Sequence, residues 1–212
     1  MLFDLDGTLL DTLADIGESM NEVLAARGHP RHPLVAYRGF IGEGVALLAE
    51  RALPPGFRDE RTVAECVEDM RVIYGGRWDC QTRPYDGITD LLARLETSGL
   101  ALAVLSNKPH ELTRLVTERL LADTRFTCVV GARNGVPRKP DPTAALAIAR
   151  KLDIAPDAIA YVGDTATDMH TAGAAGMYAI GAVWGFRDAE ELAAAGARTL
   201  ARRPGDVAAA VL

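Results

Sequence analysis

From residue 86 onward, short apolar runs alternate with stretches of helical periodicity, and few folds accept that pattern. The apolar runs are Leu100–Leu105, Thr127–Val130, Ala158–Val162 and Tyr178–Val183, and a fifth, Met1–Phe3, stands at the front of the chain. Asp86–Ser98 carries Ile88, Leu91, Leu92 and Leu95, an i, i+3, i+4, i+7 stripe, and Gly99 follows it as a helix stop. Pro142–Leu152 and Thr165–Ala175 are helical and Ala-rich, which lets them lie close on a sheet. Strands that alternate with helices pair in parallel, with helices on both faces. Functional groups in such sheets sit beyond the carboxyl ends of the strands. Asp4, Ser106 and Asp164 all stand at such ends.

Residues 13–80 break the alternation. No strand pattern occurs there, and Leu13–Arg27 and Arg58–Tyr74 read as long amphipathic helices with a shorter one, Gly44–Leu53, between them. The expected organisation is an α/β unit from residues 1–12 and 84–212, with an all-helical unit, 13–83, inserted in it. The crossings fall at Asp11–Asp15 and Thr82–Asp86, where Pro84 and Gly87 suit a turn.

Bulk properties exclude several classes of function. Of 212 residues 25% are charged, and the net charge is −6, which offers no basic patch for nucleic acid. No apolar run approaches the roughly 20 residues that span a membrane. Charge enters at Asp4, too early for a signal peptide. Three scattered cysteines, Cys66, Cys80 and Cys128, form neither a disulfide framework nor a C-x-x-C site, so a reducing cytoplasm is the expected setting. A monomer or homodimer is expected.

Asp4-Leu5-Asp6-Gly7-Thr8 places two carboxylates one residue apart where a strand ends and a glycine turns the chain. Residues i and i+2 of a strand point to the same side, and two such carboxylates repel unless a cation or a proton intervenes. That pairing suits a carboxylate nucleophile beside an acid/base partner, although a turn rich in Asp would carry the same letters. The pattern recurs at Gly163-Asp164-Thr165-Ala166-Thr167-Asp168, where Asp168 lies one helical turn beyond Asp164. Asp168 can equally be an ordinary first-turn acid. Ser106-Asn107-Lys108-Pro109 ends a strand, and a hydroxyl plus free backbone N–H groups there can cradle an anion or simply cap a helix. Pro109 reads as a first-turn residue of the next helix, and Lys108 either lines the pocket or is solvated. Arg138-Lys139-Pro140-Asp141-Pro142 supplies a lysine between the two acidic stretches, and no phosphate P-loop motif is present. In Arg38-Gly39-Phe40-Ile41-Gly42-Glu43-Gly44-Val45, paired glycines before a helix free N–H groups for a small carboxylate. That stretch also reads as a plain loop into a helix, and it is not a dinucleotide fingerprint.

With all four motifs in order across nearly the whole chain, the sequence resembles the haloacid dehalogenase-like hydrolase superfamily and, within it, the phosphoglycolate phosphatases. The resemblance implies a Rossmann-like parallel sheet with helices on both faces, carrying a small inserted all-helical cap domain. It implies a Mg²⁺-dependent phosphomonoester hydrolase that works through an aspartyl-phosphate. Asp4 is then the nucleophile, Asp6 the general acid and base, and Lys139 the cation that offsets the phosphoryl charge. Asp4, Asp164 and the Asp6 carbonyl would hold the metal, with Asp168 orienting Lys139 or a metal-bound water. Thr8, Ser106 and Asn107 would meet the phosphoryl group, and Arg38, Gly42 and Gly44 in the cap would meet the rest of a small phosphorylated substrate. Alternatives are a phosphatase for a sugar phosphate or pyrophosphate, a phosphomutase, a carbon–halogen hydrolase and a metal-binding scaffold. Asp6 argues against the halide chemistry, which needs no proton donor. Only three residues precede Asp4, fewer than in relatives, so either the first strand is short or the true start lies upstream.

Overall fold

Leu2 and Phe3 alone form the central strand. In the computed structural model, which describes residues 1–212, β1 (Leu2–Phe3) lies between two longer strands and pairs in parallel with both. Ladder bonds continue past its ends: Ala103 N–H donates to Met1 O at 2.9 Å and Asp4 N–H to Val162 O at 2.9 Å. β1 thus spans two residues, with single ladder bonds at Met1 and Asp4 on either side.

The chain separates into two compact units, Met1–Asp11 with Pro84–Leu212, and Thr12–Arg83. Two-residue strands, β2 (Leu10–Asp11) and β3 (Arg83–Pro84), flank the crossings. The first unit holds β4 (Leu102–Pro109), β5 (Phe126–Ala132), β6 (Ala160–Gly163), β7 (Tyr178–Ala182) and β8 (Thr199–Ala201). With β1 they form a six-stranded sheet in the order β5-β4-β1-β6-β7-β8, parallel throughout. Its helices are α5 (Ile88–Thr97), α6 (His110–Leu120), α7 (Thr143–Leu152), α8 (Ala166–Ala174), α9 (Ala189–Ala194) and α10 (Pro204–Val211).

Leu2, Ala103, Tyr161 and Ala179 share one row across β1, β4, β6 and β7. All four join a buried cluster with Ala145, Ile148 and Ala149 of α7, Met169 and Ala172 of α8, and Leu192 of α9. The next row, Phe3, Val104, Val162 and Ile180, points the opposite way by strand alternation. It leaves α5, α6 and α10 for the other face, where α5 packs on α10 and α6 on β4 and β5. The expected α/β class, a parallel sheet with helices on both faces, is borne out.

Three details differ from the sequence reading. β8 was not foreseen, because a three-residue strand followed by Arg202-Arg203 is too short to show alternation. β4 runs on to Pro109, so Ser106, Asn107 and Lys108 belong to the strand's end. Pro109 has ψ 137 and precedes α6, which starts at His110, so it is not a first-turn residue.

The second unit is helical: α1 (Leu13–Ala26), α2 (Tyr37–Phe40), α3 (Val45–Ala52) and α4 (Glu60–Gly75). Helix α4 starts two residues later than the periodicity suggests, because Asp59 caps it by accepting from Thr62 N–H at 3.0 Å. Met20, Val23, Leu24, Tyr37, Leu53 and Cys66 fill its core. Asp15, fully buried at the start of α1, accepts from Gln81 N–H at 2.9 Å, Thr82 N–H at 2.8 Å and Thr82 Oγ1 at 2.7 Å. One carboxylate thus ties together the start and the end of this unit.

Candidate active site

Three elements of the α/β unit end on one acidic cluster. Asp4 follows β1, Asp164 follows β6, and Asp168 stands in the first turn of α8. One carboxylate oxygen from each lies within 4.8 Å of the others. All three residues are buried, Asp164 and Asp168 completely.

The sequence builds this convergence by leaving out side chains. Gly7 turns at φ +87, and a Cβ there would stand 2.7 Å from Asp164 Cγ and 2.8 Å from a Phe186 ring carbon. A Cβ on Gly163 would come within 2.7 Å of Asp168 Oδ2, and one on Gly185 within 2.7 Å of Asp164 Cγ. Hydrogen bonds then aim each carboxylate. Asp164 accepts from Thr8 Oγ1 at 2.8 Å and from Phe186 N–H at 2.9 Å. Asp168 divides its oxygens: Oδ2 accepts from Thr165 N–H at 3.1 Å and Thr165 Oγ1 at 2.6 Å, closing a capping box, while Oδ1 faces Lys139 Nζ at 2.6 Å. Tyr161 donates to the same Oδ1 at 3.3 Å.

Lys139, 4% exposed, also stands 2.8 Å from Asp4 Oδ1. That contact is a buried ion pair. Burial pulls the Lys139 ammonium down, but Asp168 and Asp4 outweigh it and hold the group well above its usual value. Asn107 grips the Lys139 backbone from both sides: its Nδ2 donates to Lys139 O at 3.1 Å, and its Oδ1 accepts from Lys139 N–H at 3.0 Å. Ser106 is buried beside it, and its Oγ accepts from Lys108 N–H at 3.3 Å.

The charge does not balance. Four carboxylates (Asp4, Asp6, Asp164, Asp168) face two ammonium groups (Lys108, Lys139). Burial, partly countered by Lys139, pushes Asp4 up to about 7. Burial, with Asp168 and Asp4 adding, holds Asp164 well above the usual carboxylate range. A divalent cation would supply the missing positive charge, and three buried carboxylates with oxygens within 4.8 Å of one another form the kind of donor set a hard cation takes. The cluster fits a metal.

The predicted residues fall into groups. Asp4, Asp6, Thr8, Ser106, Asn107, Lys139, Asp164 and Asp168 all belong to the α/β unit; Lys139 lies in the segment between β5 and α7, and the others lie at the carboxyl ends of β1, β4 and β6 or just beyond them. Thr8 takes a supporting place: its hydroxyl is committed to Asp164, and its carbonyl accepts from Trp184 Nε1 at 3.0 Å. Arg38, Gly42 and Gly44 lie in the helical unit, Arg38 on α2 and the glycines in the turn before α3. Gly42 and Gly44 adopt φ +127 and +96, and Arg51 braces the turn by pairing with Glu43 and donating to Phe40 O at 3.2 Å.

Sequence reasoning left Lys108 undecided and missed residues 184–186. Lys108 is 7% exposed, and its Nζ meets both oxygens of Asp6, at 2.8 and 3.1 Å. Its place two residues after Ser106 at a strand end was the available signal, since i and i+2 share a side. For Trp184-Gly185-Phe186 no local signal existed, because a loop's backbone donors cannot be assigned from its letters.

With fold and centre in view, the comparisons are specific. The chain belongs to the haloacid dehalogenase-like hydrolases, whose family profile it matches over residues 1–182. It is 33% identical to the phosphoglycolate phosphatase of Xylella fastidiosa (strain Temecula1) over 191 residues, 90% of this chain and 82% of that one. It is 34% identical to the phosphoglycolate phosphatase of Aquifex aeolicus over 186 residues, 88% and 85% of the two chains. A crystal structure of a Lactobacillus delbrueckii subsp. bulgaricus protein superimposes with a TM-score of 0.93 at 28% identity, over 100% of this chain and 97% of that one.

Proposed function

We propose that this protein is a Mg²⁺-dependent phosphomonoester hydrolase that cleaves 2-phosphoglycolate to glycolate and phosphate. The observation that carries the reading is the buried Asp4 carboxylate, paired with Lys139 at 2.8 Å and clustered with Asp164 and Asp168. Membership of the hydrolase family and the names of the curated relatives support the same chemistry.

Asp4 attacks phosphorus in line, and the bond from phosphorus to the ester oxygen breaks as an acyl phosphate forms on Asp4. Asp6 delivers a proton to the departing alkoxide. It then takes a proton from the water that attacks the same phosphorus, which releases phosphate and restores the Asp4 carboxylate. Lys139 keeps Asp4 in place and offsets the incoming charge, while Ser106 and the Asn107 backbone cradle the phosphoryl oxygens. The Asp4 and Asp164 carboxylates and the Asp6 carbonyl would hold Mg²⁺. The ion would neutralise phosphoryl charge and reduce the repulsion between substrate and carboxylates.

Arg38, Gly42 and Gly44 of the helical unit are assigned to the substrate's carboxylate, and the helical unit to the role of a cap. The three cysteines are free, in keeping with a reducing cytoplasmic setting. No helix is long and apolar enough to cross a membrane.

The test is phosphate release from 2-phosphoglycolate, p-nitrophenyl phosphate and a panel of sugar phosphates, with Mg²⁺ and with chelator. Marked preference for 2-phosphoglycolate, lost on chelation, supports the full reading. Activity spread evenly over the panel removes the substrate assignment, and no activity removes the enzyme.

A further inference from the structure

Each of the two N-terminal aspartates faces a buried ammonium: Lys139, shared with Asp168, stands against Asp4, and Lys108 against Asp6. The second pair has no role in the scheme above. Its side chains are 4% and 12% exposed, so water screens it little. Both Asp6 oxygens are engaged, and a carboxylate held at two points cannot turn freely about its last side-chain bond. The lysine is itself anchored, because Lys108 O accepts from Thr113 Oγ1 at 3.1 Å. Between Leu105 and Pro109 the register of β4 with β5 shifts, so Lys108 leaves the regular ladder just where its side chain reaches Asp6.

We propose that Lys108 is a positioning residue that sets the direction of the Asp6 carboxylate, and through it the transfer of a proton to the leaving oxygen. The inference rests on the phosphomonoesterase reading. A proton donor must lie within hydrogen-bond reach of the oxygen it serves, and a carboxylate free to rotate spends little time there. Aim matters most when the leaving group is a strongly basic alkoxide. It matters little for p-nitrophenolate, which departs without a proton.

The experiment compares kcat and KM of wild type, Lys108→Met and Lys108→Arg on 2-phosphoglycolate and on p-nitrophenyl phosphate, with Mg²⁺ present. For Lys108→Met, kcat on 2-phosphoglycolate should fall about 10²-fold, the lower end of general acid catalysis, with little change in KM. The loss on p-nitrophenyl phosphate should be at least about tenfold smaller. Lys108→Arg should recover much of the difference, since a guanidinium also spans two carboxylate oxygens. Equal losses on both substrates, or a loss confined to KM, would overturn the proposal, as would no loss at all. Should Lys108→Met fail to fold, the same ratio is read from Lys108→Gln. Wild type inert on both substrates would instead overturn the phosphatase reading, and the proposal with it.

Discussion

Replacing Asp15 by Ala should destabilise the helical unit by about 4 kcal/mol. The figure comes from its donors. Asp15 is fully buried and accepts from three groups: Gln81 N–H, Thr82 N–H and Thr82 Oγ1. Gln81 is exposed and recovers water, so its loss costs little. Thr82 is 6% exposed, and each of its two stranded donors costs roughly 1–3 kcal/mol, about 2 each and about 4 together. Asp15→Asn keeps one acceptor oxygen but turns an amide toward donors, so about half the loss is expected. The chain has two tryptophans, Trp78 and Trp184, so a Trp184→Phe background leaves Trp78 as the sole indole reporter within the helical unit. Urea unfolding followed by Trp78 emission then isolates that unit, which global probes would not if the two units melt separately. A loss below about 1 kcal/mol for Asp15→Ala would refute the reasoning, because it would mean that water satisfies the Thr82 donors.

Other expectations concern the active site. Asp4→Asn should abolish phosphate release, since an amide is a poor nucleophile; turnover above about 1% of wild type would argue against a covalent intermediate. Asp4 is raised to about 7, mainly by burial, so in the metal-free protein the native state binds more protons than the unfolded chain between pH 4 and 7. Stability from this group therefore declines as pH rises through that window, and Mg²⁺ should raise the melting temperature more at pH 7 than at pH 5. Equal Mg²⁺ shifts at both pH values would contradict the charge imbalance. Gly44→Arg, at φ +96, should lower kcat/KM for 2-phosphoglycolate far more than for p-nitrophenyl phosphate, and equal losses would mean that the turn does not select the substrate.

Much of this was legible in the sequence, for identifiable reasons. The β/α alternation is a long-range periodic signal, so the parallel sheet and the helical insertion could be read, and strand ends located Asp4, Ser106 and Asp164. Lengths and positions were less legible. β1 was readable as an apolar run, but its place between β4 and β6 depends on long-range pairing with no local trace. β4 extends through Ser106-Asn107-Lys108, where polar letters suggest a loop but the neighbouring strand imposes extension. The partners of the carboxylates were mostly hidden. Phe186 reaches Asp164 through its backbone across 22 residues, and Lys108 meets Asp6 across 102. Asp168 was readable as a first-turn acid and as a partner of Lys139, and it is both at once, one oxygen for each.

The glycines around the acidic cluster bear on how such a protein can evolve. Gly7, Gly163 and Gly185 each lie so close to Asp164 or Asp168 that even a methyl group would collide. Single-nucleotide changes that alter the amino acid at a glycine codon lead to a larger residue or a stop, so every neighbouring protein sequence at these positions is handicapped before selection on substrate begins. Drift is therefore blocked at the floor of the centre, while the exposed residues of the helical unit stay free to vary. With recognition assigned to the helical unit as proposed above, such a lineage is expected to change what it recognises long before it changes how it reacts.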